Sequence, residues 1–125
     1  MAPPMLVLIA GPHRSGTNDH PDALAANPAR LEAAAWPAFA AGHFPMIGEW
    51  VALPVLRSAG ATILDPLAEQ VTYPTTQRLL EHCHAVLRAP GVSIGAHQDV
   101  AIAQSRGLPV YYRVEDLPIL AGSTS

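Results

Sequence analysis

The residues best suited to chemistry lie in one arc, Ser93-Ile94-Gly95-Ala96-His97-Gln98-Asp99. Helical spacing begins at Ala96, so Asp99 falls about one turn into a helix. A carboxylate there gains roughly 0.3–1 kcal/mol from the helix dipole, a sufficient structural reason for its presence. The same field keeps it ionised, as a nucleophile requires. Spacing does not separate the two roles. Ahead of it, Ser93 offers a hydroxyl and Gly95 a close backbone approach, beside the unpaired amides that attract phosphate or carboxylate at a helix start. The plainer alternative is that Ser93 or Gly95 caps the helix.

A second arc is Gly11-Pro12-His13-Arg14-Ser15-Gly16. It departs from GxGxxG, and no Lys follows to make a phosphate-binding P-loop. Arg14 supplies a forked cation, while Ser15 and the Gly16 amide can donate to an anion. A surface turn with a solvated Arg14 has the same composition. Glu49 is either a second carboxylate at the same sheet edge or the first-turn acid of its own helix. His13 and His97 read as crevice donors or proton carriers, or as ordinary surface residues. No metal site is expected, because HExxH and paired cysteines are missing. Cys83 reads as a small buried hydrophobe.

The elements that position these residues follow from pattern. Met5 to Ala10 is a continuous apolar run closed by Gly11-Pro12, the form of a doubly covered strand. A helix is expected from about Asn27-Pro28 to Gly42, with Leu31, Ala35, Ala38 and Phe39 on its apolar face and a kink at Pro37. His43 to Ile47 suggests a short edge strand demoted by Pro45. Glu49 to Ser58 reads as a helix, Ala61 to Leu64 as strand or loop, Leu67 to Tyr73 as connection and Pro74 to Cys83 as a helix. His84 to Leu87 and Leu108 to Tyr112 are strands around the crossover helix, and Glu115-Asp116 suggests a helical turn. Trp36, Phe39 and Trp50 are expected in the core or a homodimer interface.

Strands alternating with helices imply an α/β flavodoxin-like three-layer sandwich with a mainly parallel sheet of 4–5 strands in the order 2-1-3-4. The first strand and the strand at His84 then lie side by side at the switch point. The Gly11 and Ser93 loops face each other across one crevice.

Totals set the outer limits. The 125 residues, half of them hydrophobic and 14% charged, fit one domain spanning 1–125. Net charge is −3 and the seven cations are scattered Arg residues, which argues against a nucleic-acid polymer as partner. One cysteine fits a reducing compartment, and the six-residue apolar run near the N-terminus is too short for a membrane span. A cytoplasmic protein without membrane partners is expected.

GPHRSG after the first strand and SIGAHQDVAIA entering the last crossover helix resemble motifs of the nucleoside 2-deoxyribosyltransferase-like superfamily. The closer resemblance is to its 2'-deoxynucleoside 5'-monophosphate N-glycosidase branch and small bacterial relatives. The resemblance implies a flavodoxin-like fold, a homodimer, and a pocket for a small-molecule nucleotide or nucleoside, with no cofactor. It puts the acid that attacks the anomeric carbon at Asp99, the phosphate-binding serine at Ser93 and the loop arginine at Arg14. Gly11, His13, Ser15, Gly16 and Gly95 complete the expected cradle. Two departures stand out: the nucleophile is usually Glu, and Thr76 occupies the position of a family acid. Glu49 or His97 is then left to protonate the departing base or activate water. The expected activity is N-glycosidic cleavage by a hydrolase or deoxyribosyltransferase. Its alternative is a non-catalytic nucleotide-binding module.

Overall fold

The computed structural model describes residues 3–12 and 21–120, with residues 21–26 described in backbone only. Strand β1 (Leu6–Ala10) lies between β2 (Phe44–Met46) and β3 (Ala85–Arg88), and β3 pairs with β4 (Val110–Tyr111). All three pairings are parallel, in the order β2-β1-β3-β4. This is the expected 2-1-3-4 arrangement, with β1 and β3 adjacent.

Burial on both faces explains why β1 carries no polar alternation. Val7 and Ile9 join Ala85 and Leu87 on one face, packed against Leu31, Ala38, Ile47 and Leu117. Leu8 and Ala10 join Val86 on the other, against Leu80, Cys83, Ala96 and Ala103. Successive strand side chains point to opposite faces. An apolar run with helices on either side therefore makes two cores, and the result is a flavodoxin-like three-layer α/β fold. Helices α1 (Pro21–Glu32) and α2 (Ala35–Ala40) cover the first face. Helices α4 (Leu67–Leu80) and α5 (Ile94–Ser105) cover the second, and α3 (Glu49–Ser58) packs on α4. No described helix is long and apolar enough to cross a membrane.

Several expected boundaries are corrected. The helix expected near Asn27 starts at Pro21, and Pro28 lies inside it. Asn27 is buried, and its Oδ1 accepts from Arg30 Nη1 at 2.9 Å. The kink expected at Pro37 is a break one turn earlier, at Ala33-Ala34. A proline ring collides with the carbonyl four residues back, here Ala33, so the chain separates into α1 and α2 at that point. Trp36 and Phe39 stack on each other at 6.0 Å but are 64% and 61% exposed, and Trp50 is exposed too. None of the three is in the core. Of the two readings of Ala61 to Leu64, strand or loop, the structure has the loop.

The largest correction is residues 67–73, expected as connection but part of the fourteen-residue α4. Pro74 inside that helix removes one amide donor, which made the run look broken. A threonine hydroxyl supports the backbone beside it: Thr75 Oγ1 donates to the Val71 carbonyl at 2.6 Å.

Two histidines clamp the start of β1. The Met5 amide donates to His43 Nδ1 at 3.2 Å, and the Leu6 amide to His84 Nδ1 at 2.9 Å. With Nδ1 accepting, the His43 Nε2–H donates to the Pro118 carbonyl at 2.6 Å. That bond fastens the C-terminal segment beside β1 and fixes the tautomer.

Candidate active site

Asp99 occupies a stripe that should be apolar. Ala96, Asp99 and Ala103 are the buried residues of α5, spaced three and four apart on one face. Asp99 is only 7% exposed, yet it is not sealed in hydrocarbon: its side chain lines a cavity of about 430 Å³ at the carboxyl ends of the strands. That volume is of small-molecule size.

Several segments build the walls. From α5 and its cap come Ser93, Ile94, Gly95, Ala96 and Asp99; Gly11 comes from just after β1, and Glu49 from the first turn of α3. Helix α4 presents Glu69, Thr72, Tyr73 and Thr76. Their spacing of three, one and three residues puts them on one helical face.

Close approach between these elements depends on small residues. A Cβ at Gly48 would lie 2.6 Å from Thr76 Cγ2, so only glycine lets the turn after β2 meet α4 and bring Glu49 toward Asp99. A Cβ at Gly95 would lie 3.1 Å from Tyr73 Cε1, so the tyrosine ring rests against the start of α5. The loops leaving β1 and β3 also touch. The Ala89 amide donates to the Ala10 carbonyl at 2.7 Å, and Pro12 lies against Gly91.

Burial and charge act together on the acids. Burial raises the Asp99 carboxyl to about 6, and the Glu49 carboxylate pushes the same way; the Thr76 hydroxyl and the Arg88 guanidinium oppose them. Burial also raises Glu49, opposed by its own backbone amide. Arg88 is braced on the loop carbonyls of Ala89 and Gly91. Cys83, buried beneath, is raised to about 11 by burial and by the charge of Asp99.

The two carboxylates therefore have different supports. Asp99 has a hydroxyl and a guanidinium that favour its ionised form, whereas Glu49 has only an amide. A pair of acids in unequal surroundings can divide the roles of base or nucleophile and proton donor.

The expected site residues separate into three groups. Asp99, Glu49, Ser93, Gly95 and Gly11 meet around the cavity. His97 is exposed on α5 and does not line it. His13, Arg14, Ser15 and Gly16 lie outside the described residues. Ser93 does act as the helix cap, its Oγ accepting from the Ala96 amide at 3.1 Å, while its hydroxyl proton is still available to a ligand. Among the described residues no group of three or more His, Cys, Asp or Glu side chains is placed to hold a metal ion.

Sequence reasoning missed Glu69, Thr72 and Tyr73, because Pro74 obscured their helix. It also passed over the strongest sign at Asp99, a charge set into the Ala96–Ala103 stripe. Comparison with models of known families, with curated proteins and with solved structures gives no match.

Proposed function

We propose that this chain cleaves the N-glycosidic bond of a nucleoside or nucleotide through a carboxylate nucleophile. The observation that carries the reading is the meeting of Asp99 and Glu49, from different helices, in one cavity of ligand size. The motif resemblance supplies the substrate class, and the unequal surroundings of the two acids supply the roles.

In this mechanism the Asp99 carboxylate attacks the anomeric carbon as the bond to the base breaks, through an oxocarbenium-like transition state. Glu49, whose carboxyl burial pushes upward, gives its proton to the departing base nitrogen. A glycosyl ester on Asp99 results. Glu49, now a carboxylate, takes a proton from water as that water attacks the same carbon and frees Asp99. A second base in place of water makes the reaction a transfer. The amides at the start of α5 and the Ser93 hydroxyl suit a 5'-phosphate. Aspartate is one methylene shorter than glutamate, and the close approach permitted by Gly48 reduces the span that the pair must cover.

The test is incubation of the purified protein with a panel of nucleosides and nucleoside monophosphates, followed by chromatography for free base. Release that depends on Asp99 and falls about 100-fold or more in Glu49→Gln is the expected result. Release no greater than that of Asp99→Ala removes the catalytic reading. A melting temperature raised by nucleotide without consumption would then favour the binding module, since saturation at 100 times Kd adds about 2.7 kcal/mol.

A further inference from the structure

The α4 wall gives the cavity a direction. Thr76 stands beside Gly48 and interacts with Asp99. Tyr73 comes next along the helix, its ring against Gly95, and Thr72 follows; all three are half-buried. Glu69 is exposed at the mouth. Seven residues of helix separate Thr76 from Glu69, a rise of about 10 Å. A ligand whose reacting carbon sits before Asp99 therefore extends past the tyrosine ring and ends at Glu69.

The walls are also uneven in charge. Glu49, Asp99 and Glu69 all line the cavity, and no described lining residue is cationic. The amides at the start of α5 are the places for an anionic end of the ligand. Glu69, on the opposite helix, presents a carboxylate whose oxygens accept hydrogen bonds. A carbonyl oxygen brought against it meets like partial charge, whereas an N–H group meets a charge-assisted hydrogen bond.

On the reading that this cavity holds a nucleoside, we infer that Glu69 is a specificity-determining residue that selects amino-bearing bases over their oxo counterparts. Tyr73 provides the surface on which the base lies flat. Carboxylates read the amino group of cytosine in this manner, accepting from its exocyclic nitrogen. Because Glu69 is exposed, one such bond is screened by water, and the preference expected is about tenfold.

The experiment compares matched pairs, deoxycytidine with deoxyuridine monophosphate and deoxyadenosine with deoxyinosine monophosphate. Base release is measured as kcat/KM, and binding to Asp99→Asn by calorimetry. The amino member of each pair should be favoured about tenfold in both measurements. Glu69→Gln, whose amide both donates and accepts, should bring the ratio close to one. Circular dichroism establishes that the variant is folded, and Glu69→Asp provides a second carboxylate that should keep part of the preference. Equal treatment of the two members by the native chain overturns the inference, as does a preference that survives Glu69→Gln. Binding with the amino preference but without base release sinks the catalytic reading and keeps this one. No binding of any of the four overturns both.

Discussion

Replacing Asp99 by Asn should make the protein more stable at pH 8. Burial and the neighbouring Glu49 raise the Asp99 carboxyl from an ordinary 3.8 to about 6, despite the help of Thr76 and Arg88. The folded state therefore holds this proton more tightly than the unfolded chain does. That advantage is fully present below the unfolded value near 3.8, shrinks as pH rises through about 6, and is gone above it. At pH 8 the folded protein carries a buried charge that the unfolded chain solvates freely. A shift of about two units corresponds to roughly 3 kcal/mol, an upper figure for a side chain that opens on a cavity. Asn resembles the neutral acid in size and polarity. Asp99→Asn should thus gain up to about 3 kcal/mol at pH 8, or on the order of 10 °C in Tm for a chain of this length. At pH 4 the gain should vanish. Urea and thermal unfolding of both proteins at intervals from pH 4 to 8 measure the difference. A variant no more stable than the parent at pH 8, or a gap that ignores pH, refutes the reasoning about this site. The expected trade of stability for a poised acid is common where activity needs an unfavourable local arrangement.

Other outcomes follow from the same geometry. If the proposed reaction occurs, kcat/KM should rise with pH through about 6 as Asp99 ionises, and a profile flat across that range would contradict its role as nucleophile. Gly48→Ala should cost about 1–3 kcal/mol in urea unfolding and weaken ligand binding, because its methyl group meets Thr76 Cγ2. His43→Ala should cost about 1–3 kcal/mol, since it leaves the Met5 amide and the Pro118 carbonyl without their shared partner; accelerated amide exchange at both ends would show it. Cys83, buried and raised to about 11, should resist a thiol reagent at pH 8 until urea unfolds the chain, so prompt labelling of native protein would contradict its burial.

The sequence by itself determined the sheet. An apolar run such as Met5 to Ala10 satisfies a strand only when both faces are covered, and Pro45 tolerates only an edge. These two facts, with alternating helices, suffice for the parallel order observed. Asp99, Glu49, Ser93, Gly95 and Gly11 were legible as candidates because each stands near the carboxyl end of a strand. What stayed hidden was decided by contacts distant along the chain. Pro74 reads locally as a helix breaker, but packing of α4 on the sheet and on α3, with the Thr75 hydroxyl serving the Val71 carbonyl, outweighs the missing amide. Through that helix alone Glu69, Thr72, Tyr73 and Thr76 reach the cavity. His97 shows the reverse: a suggestive position in sequence, turned to solvent by the rotation of α5 that buries Asp99. Periodicity can assign a residue to a helix face, but only the packed neighbours decide whether that face meets water, hydrocarbon or a second acid.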